Sequence, residues 1–117
     1  MRWINAIAGL SGLAAIVMLV IAAHALHPAP EDLDRIRTAA YLQLFNAAAG
    51  LALANRSGRL ALISAALMLA GATLFAGALY TLAVAHTRTI LMLAPVGGIA
   101  MIIGWGISAF SKPAAAA

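Results

Sequence analysis

The chain of 117 residues contains no cysteine, only three acidic residues and a charged fraction of 9%. Each scarcity excludes a class of protein. Without cysteine there is no disulfide framework, thiolate metal site or thiol nucleophile. A soluble domain carries about a quarter of its residues as charges, so a water-soluble fold is excluded. The three acids, Glu31, Asp32 and Asp34, fall in one short stretch. No apolar segment therefore holds a deep carboxylate of the kind that marks an ion path or an acid-base pair. Aromatic residues are also few, at 6%. The formal charge of +4 comes from Lys and Arg placed singly or in pairs beside apolar runs. That is the placement of residues meeting lipid headgroups, and it gives no basic face for nucleic acid.

What the chain does have is apolar length. Hydrophobic residues make up 65% of it, and mean hydropathy is +1.04. Four spans of about 20 residues would use about 80 residues, leaving no room for a separate catalytic domain. Apolar runs at 3–26, 38–54, 60–85 and 90–110 predict a single domain over residues 1–117. The expected fold is all-α: an integral membrane four-helix bundle with short loops and antiparallel neighbours. Helices satisfy their own backbone polar groups, as lipid requires, and β-barrel alternation is absent. Arg2 and the Ala23-His24-Ala25 pattern imitate a signal peptide, but the first run exceeds the usual signal core of about 7–15 residues and reads as a retained helix.

The punctuation between runs is legible. Pro28 and Pro30 break the first helix, Pro30 suits the first turn of the second, and the three acids follow where a helix N-terminus favours negative charge. Glu31 with Arg35 and Asp34 with Arg37 have the spacing of helical ion pairs. Polar turns at 55–59 and 86–89 join the remaining helices, and residues 111–117 read as a frayed tail. Arg2, Arg56, Arg59 and Lys112 lie on the side of the termini, against Arg35, Arg37 and Arg88 on the other. Four cations against three orient both termini toward the cytoplasm.

In lipid, helices associate through small residues and buried polar groups. Candidate seams are Ala8 and Gly12; Asn46, Gly50 and Ala54; Thr73, Gly77 and Thr81; and Ala100, Gly104 and Ser108. Asn5, Gln43, Asn46 and Tyr80 are expected to face inward and bond across helices. Pro95, followed by Gly97 and Gly98, predicts a kink near the start of the fourth helix, since Pro95 cannot donate to the Leu91 carbonyl. Broken helices of this kind form substrate sites in transporters. His24, His27 and His86 share one interface with the acids, a grouping that weakly suggests a metal site or pH sensor. No nucleophile with its base is recognisable, which points away from an enzyme and from any cofactor.

The run G-A-T-L-F-A-G-A-L-Y at 71–80, then A-P-V-G-G at 94–98 and Gly104-Trp105, resembles the small membrane proteins of the domain of unknown function 423 family. His24 matches that family's G-A-H element, and Gln43 with Phe45 matches its Y-Q-x-F-H element. Three positions depart from the pattern: Ala22 replaces the glycine, Leu42 the tyrosine and Asn46 the second histidine. The resemblance implies a four-helix integral membrane protein and supplies no activity. An amide where the family has an imidazole fits a structural role at position 46.

These features predict a small non-enzymatic protein of the bacterial inner membrane, a structural or accessory component that meets lipid and a larger membrane complex or a second copy of itself. The alternative is a small-solute or ion transporter or channel using Pro95, Gly97 and Gly98. A histidine-based metal or pH sensor is the third.

Overall fold

The computed structural model describes residues 2–113, and among them there are four α-helices and no strand. Helix α1 spans Arg2–Ile21 and runs on through a π-helical turn, Ala22–Leu26. It is followed by α2 (Pro30–Ala54), α3 (Arg59–Ala85) and α4 (Leu93–Ser108). The all-α membrane bundle expected from hydropathy is therefore the architecture adopted. Residues 114–117 of the expected tail lie outside the described residues.

Local chemistry sets the boundaries. His27 ends the π turn in the left-handed region at φ 44°. Ala29 is extended, as a residue preceding proline must be, and Pro30 opens α2 with Glu31 and Asp32 in its first turn. Arg35 meets Asp32 at 2.8 Å and Glu31 at 4.0 Å. The expected Asp34–Arg37 pair does not form; both side chains stand exposed on α2. Gly58 turns the chain between α2 and α3 at φ 94°, a torsion that favours glycine.

Helix α4 starts later than its apolar run. Turn hydrogen bonds from Leu91 to Arg88, Leu93 to Ile90 and Ala94 to Leu91 occupy the preceding residues. Pro95 consequently falls in the first turn of α4, where the missing N–H has no intrahelical partner to lose. The predicted kink is corrected on that ground: the Leu91 carbonyl is taken by Ala94.

Helices α2 and α3 form the central antiparallel pair, with α1 packed mainly on α2 and α4 mainly on α3. The molecule measures 50 × 26 × 19 Å. Its thinnest dimension is that of two stacked helices of about 10 Å each. Helix α1 with its π turn, and α3, are each long and apolar enough to cross a membrane. Helix α2 has comparable length but opens with five charged residues between Glu31 and Arg37. Helix α4, with 16 residues, is about 24 Å long against a hydrocarbon core of about 30 Å.

Small residues dominate the interior, and two of the predicted seams move. On α1 the buried stripe is Ile4, Ala8, Ser11 and Ala15, with Gly12 half-buried against Leu44 and Ala47. Asn5, expected inside, is exposed because the inward stripe passes through Ile4 and Ala8. On α2, Asn46 and Gly50 are buried as expected, and Ala54 is half-buried. On α3 the Thr73, Gly77 and Thr81 seam is corrected. Thr73 is exposed, Gly77 has open space where a side chain would stand, and both hydroxyls bond back to their own helix at Leu69 and Gly77. The buried face runs instead through Ala61, Ser64, Met68, Gly71 and Ala72. On α4 it runs through Ala94, Gly97, Met101 and Gly104, while Ala100 and Ser108 are half-buried.

Gly71 and Gly97 bring two backbones into contact. A Cβ on Gly71 would stand 2.6 Å from the Gly97 oxygen and 2.9 Å from the Met101 nitrogen. A Cβ on Gly97 would overlap the Gly71 oxygen and stand 2.7 Å from the Phe75 nitrogen. Farther along the crossing, a Cβ on Gly104 would be 2.9 Å from Met68 Cγ. This is the close approach on which association of helices in lipid relies.

Candidate functional site

Polar side chains within the bundle form two clusters, both organised by α2. In the first, Gln43 Nε2 donates to Ser11 Oγ of α1 at 3.2 Å, and Tyr80 of α3 donates its hydroxyl to Gln43 Oε1 at 2.7 Å. One amide thus joins three helices. In the second, Asn46 Nδ2 donates to the Leu42 carbonyl at 2.7 Å and approaches Met101 Sδ at 3.2 Å. Asn46 Oδ1 accepts from Trp105 Nε1 at 3.1 Å, which ties α2 to α4. A third link closes α3 on α4, where Ser64 Oγ donates to the Gly104 carbonyl at 2.6 Å.

The two amides lie three positions apart, so they project from neighbouring faces of α2 at nearly one depth. Gln43 addresses α1 and α3, whereas Asn46 addresses α4. Among the described residues no side-chain nitrogen or oxygen that is itself fully shielded from solvent lacks a partner. Every amide placed in an apolar interior needs such a partner. Trp105 is half-exposed, with its ring at the surface and its N–H turned in. Phe45 is exposed and stacks on Tyr41, with ring centroids 6.5 Å apart.

The remaining predicted residues divide. Gly97 belongs to the α3–α4 contact, and Pro95 stands exposed in the first turn beside it. Gly77 and Gly98 touch no neighbouring helix where a side chain would stand. Gly98 instead borders a groove of about 470 Å³ shared with Asn46 and Trp105, otherwise walled by Leu42, Phe75, Met101 and Ile102.

At the opposite end of the polar ladder, His27, Asp32 and His86 line a cavity of about 360 Å³ between the α1–α2 loop and the end of α3. His86 Nδ1 lies 3.8 Å from Asp32 Oδ2. His24 is exposed on the π turn and does not line this cavity. Among the described residues no three His, Asp or Glu side chains gather closely enough to hold a metal ion.

Residues 20–98 match the model of the family described as Protein of unknown function (DUF423). The chain belongs to this family. The family region takes in Gln43, Asn46, Tyr80 and the Gly71–Gly97 contact, while Met101 and Trp105 lie just beyond it. A UPF0382 membrane protein of Haemophilus influenzae is 36% identical over 101 residues, covering 82% of this chain and 82% of the relative. The UPF0382 inner membrane protein YgdD of Escherichia coli K12 is 30% identical over 112 residues, covering 91% and 86%. No solved structure matches. Membership makes this a membrane protein of an uncharacterised family, as the motifs at 71–80 and 94–98 imply.

Sequence reasoning missed Ser11, Ser64 and Gly71 as contact residues, and the burial of Asp32 and Ser111. A serine within an apolar run is a visible signal, but its partner is not. Ser111, expected in a frayed tail, is buried. Its hydroxyl accepts from Arg56 at 3.1 Å and donates to the Ser108 carbonyl at 2.9 Å, while Ser57 donates to the Pro113 carbonyl.

Proposed function

We propose that the protein is a non-enzymatic structural or accessory component of the bacterial inner membrane, spanning it four times with both termini in the cytoplasm. The observation carrying this reading is the division of the surface. The described interior polar groups bond to one another or to backbone, while large apolar side chains such as Leu10, Val20, Phe45, Ile102 and Phe110 stand outward. Such a molecule has apolar helix faces to offer lipid or a partner protein, and a locked polar interior. Bacterial inner-membrane residence follows the name of the Escherichia coli relative. The four-span topology draws on the short turns and the cation distribution.

The transport alternative loses its main support. Pro95 breaks no helix, Gly97 is filled by Gly71, and the groove beside Gly98 is mostly apolar. Purification of the tagged protein in mild detergent tests the accessory reading. A reproducible stoichiometric protein partner is expected. A clean monomer that carries solute across liposomes would overturn it.

A further inference from the structure

The cavity lined by His27, Asp32 and His86 contains the one buried carboxylate among the described residues. Asp32 is 8% exposed. Its Oδ1 accepts a hydrogen bond from Arg35 at 2.8 Å, whereas Oδ2 has only the His86 contact at 3.8 Å, beyond hydrogen-bond reach. The lining holds this carboxylate, two imidazoles and no Lys or Arg. His27 and His86 are the capping residues at the C-terminal ends of the π turn and of α3, and α3 has no basic residue in its last turn. Carbonyl groups at these two ends add partial negative charge beside Asp32, partly offset by the N-terminus of α2. Arg35 offsets much of the Asp32 charge from outside the lining, so what the cavity presents to a ligand is the Oδ2 acceptor, which suits a cationic hydrogen-bond donor.

The walls select which cation. The absence of a third converging donor argues against a metal ion. No Phe, Tyr or Trp lines the cavity, so it lacks the cage that quaternary ammonium groups use. A primary ammonium has N–H donors for Asp32 Oδ2. Leu26, Ile36 and Val84 supply an apolar flank. The cavity lies where the two long apolar helices, α1 and α3, both end, which is the level of lipid headgroups. Its volume of about 360 Å³ is within the range of small-ligand sites.

We propose that this cavity binds the headgroup of a primary-amine phospholipid. Asp32 Oδ2 accepts from the ammonium, the imidazoles of His27 and His86 donate to the adjoining phosphate, and Leu26 and Val84 meet the start of the lipid tail. The proposal rests on membrane residence and not on the accessory role, so the presence or absence of a protein partner bears only on the latter.

The test is native mass spectrometry of the full-length, delipidated protein titrated with phosphatidylethanolamine and phosphatidylcholine of identical acyl chains. The expected result is about tenfold preferential retention of phosphatidylethanolamine, the scale of one charge-assisted hydrogen bond. Asp32→Asn should bring retention down to the phosphatidylcholine level. His86→Gly, at a side chain 72% exposed and a left-handed φ of 55° that glycine adopts without strain, should weaken phosphatidylethanolamine retention several-fold with no loss in the thermal melt. Equal retention of the two lipids by the unaltered protein would overturn the proposal, as would full preference persisting in either folded variant. Free phosphoethanolamine displacing the lipid at equal concentration would place the source among soluble amines and overturn the lipid assignment.

Discussion

Asn46 shows at the scale of one residue how polarity is accommodated in this molecule. Its amide is 2% exposed and directs both ends to partners: nitrogen to Leu42 and Met101, oxygen to Trp105. An amide with fewer partners would raise the cost of burial, and the indole N–H would lose its acceptor. A double-mutant cycle between Asn46→Ala and Trp105→Phe measures the shared bond. The expected coupling in thermal or steric-trap unfolding is about 0.6–1.7 kcal/mol, the range for polar contacts between membrane helices. Additive single effects would show that the two side chains act independently. Where the family pattern has histidine, this chain forms a bridge that needs no proton transfer.

At the scale of elements, α3 and α4 are joined by backbone contact at Gly71 and Gly97, reinforced by the Ser64 bond to Gly104. Gly97→Ala must separate the two helices, because its Cβ would meet backbone atoms that cannot rotate away. It should destabilise the bundle by about 1–3 kcal/mol, the usual effect of overpacking. Gly77→Ala, about five turns into α3 with open space around it, should instead stabilise its helix by up to about 1 kcal/mol through propensity. Comparing the two variants in detergent melts checks the pairing. Equal effects would mean that glycine content and not position matters. Both glycines occur in the quoted sequence motifs, yet linear spacing alone does not tell a contact glycine from one at the surface.

For the whole molecule, the cations at the turn between α2 and α3 and at the chain ends set the expected orientation. Arg56 also fastens the segment after α4 to that turn through Ser111, so Ser111 is held on the same side as the loop. A cytoplasm-dependent reporter fused after Lys112 should be active, while an export-dependent reporter at the same position should be silent. The reverse pattern would invert the topology. Charge governs this outcome because translocating Lys and Arg is disfavoured, whereas the three acids contribute little.

The sequence by itself determined the solvent, the helical class, the principal breaks and the family. Those properties follow from composition, run length, prolines and ordered motifs, all of which are local. It also singled out Gln43, Asn46 and Tyr80 as interior groups, because amides and a phenol within apolar runs require partners. Only the tertiary structure decided which partners they have, that Asn5 and Thr73 face outward, that Pro95 starts a helix without kinking it, and that Gly71 rather than Gly77 meets a neighbour. In a chain this uniformly apolar, periodicity scarcely distinguishes a lipid-facing side from a packed one. Rotation of each helix is set by the fit of small residues and the pairing of a few polar groups, which are properties of two surfaces together.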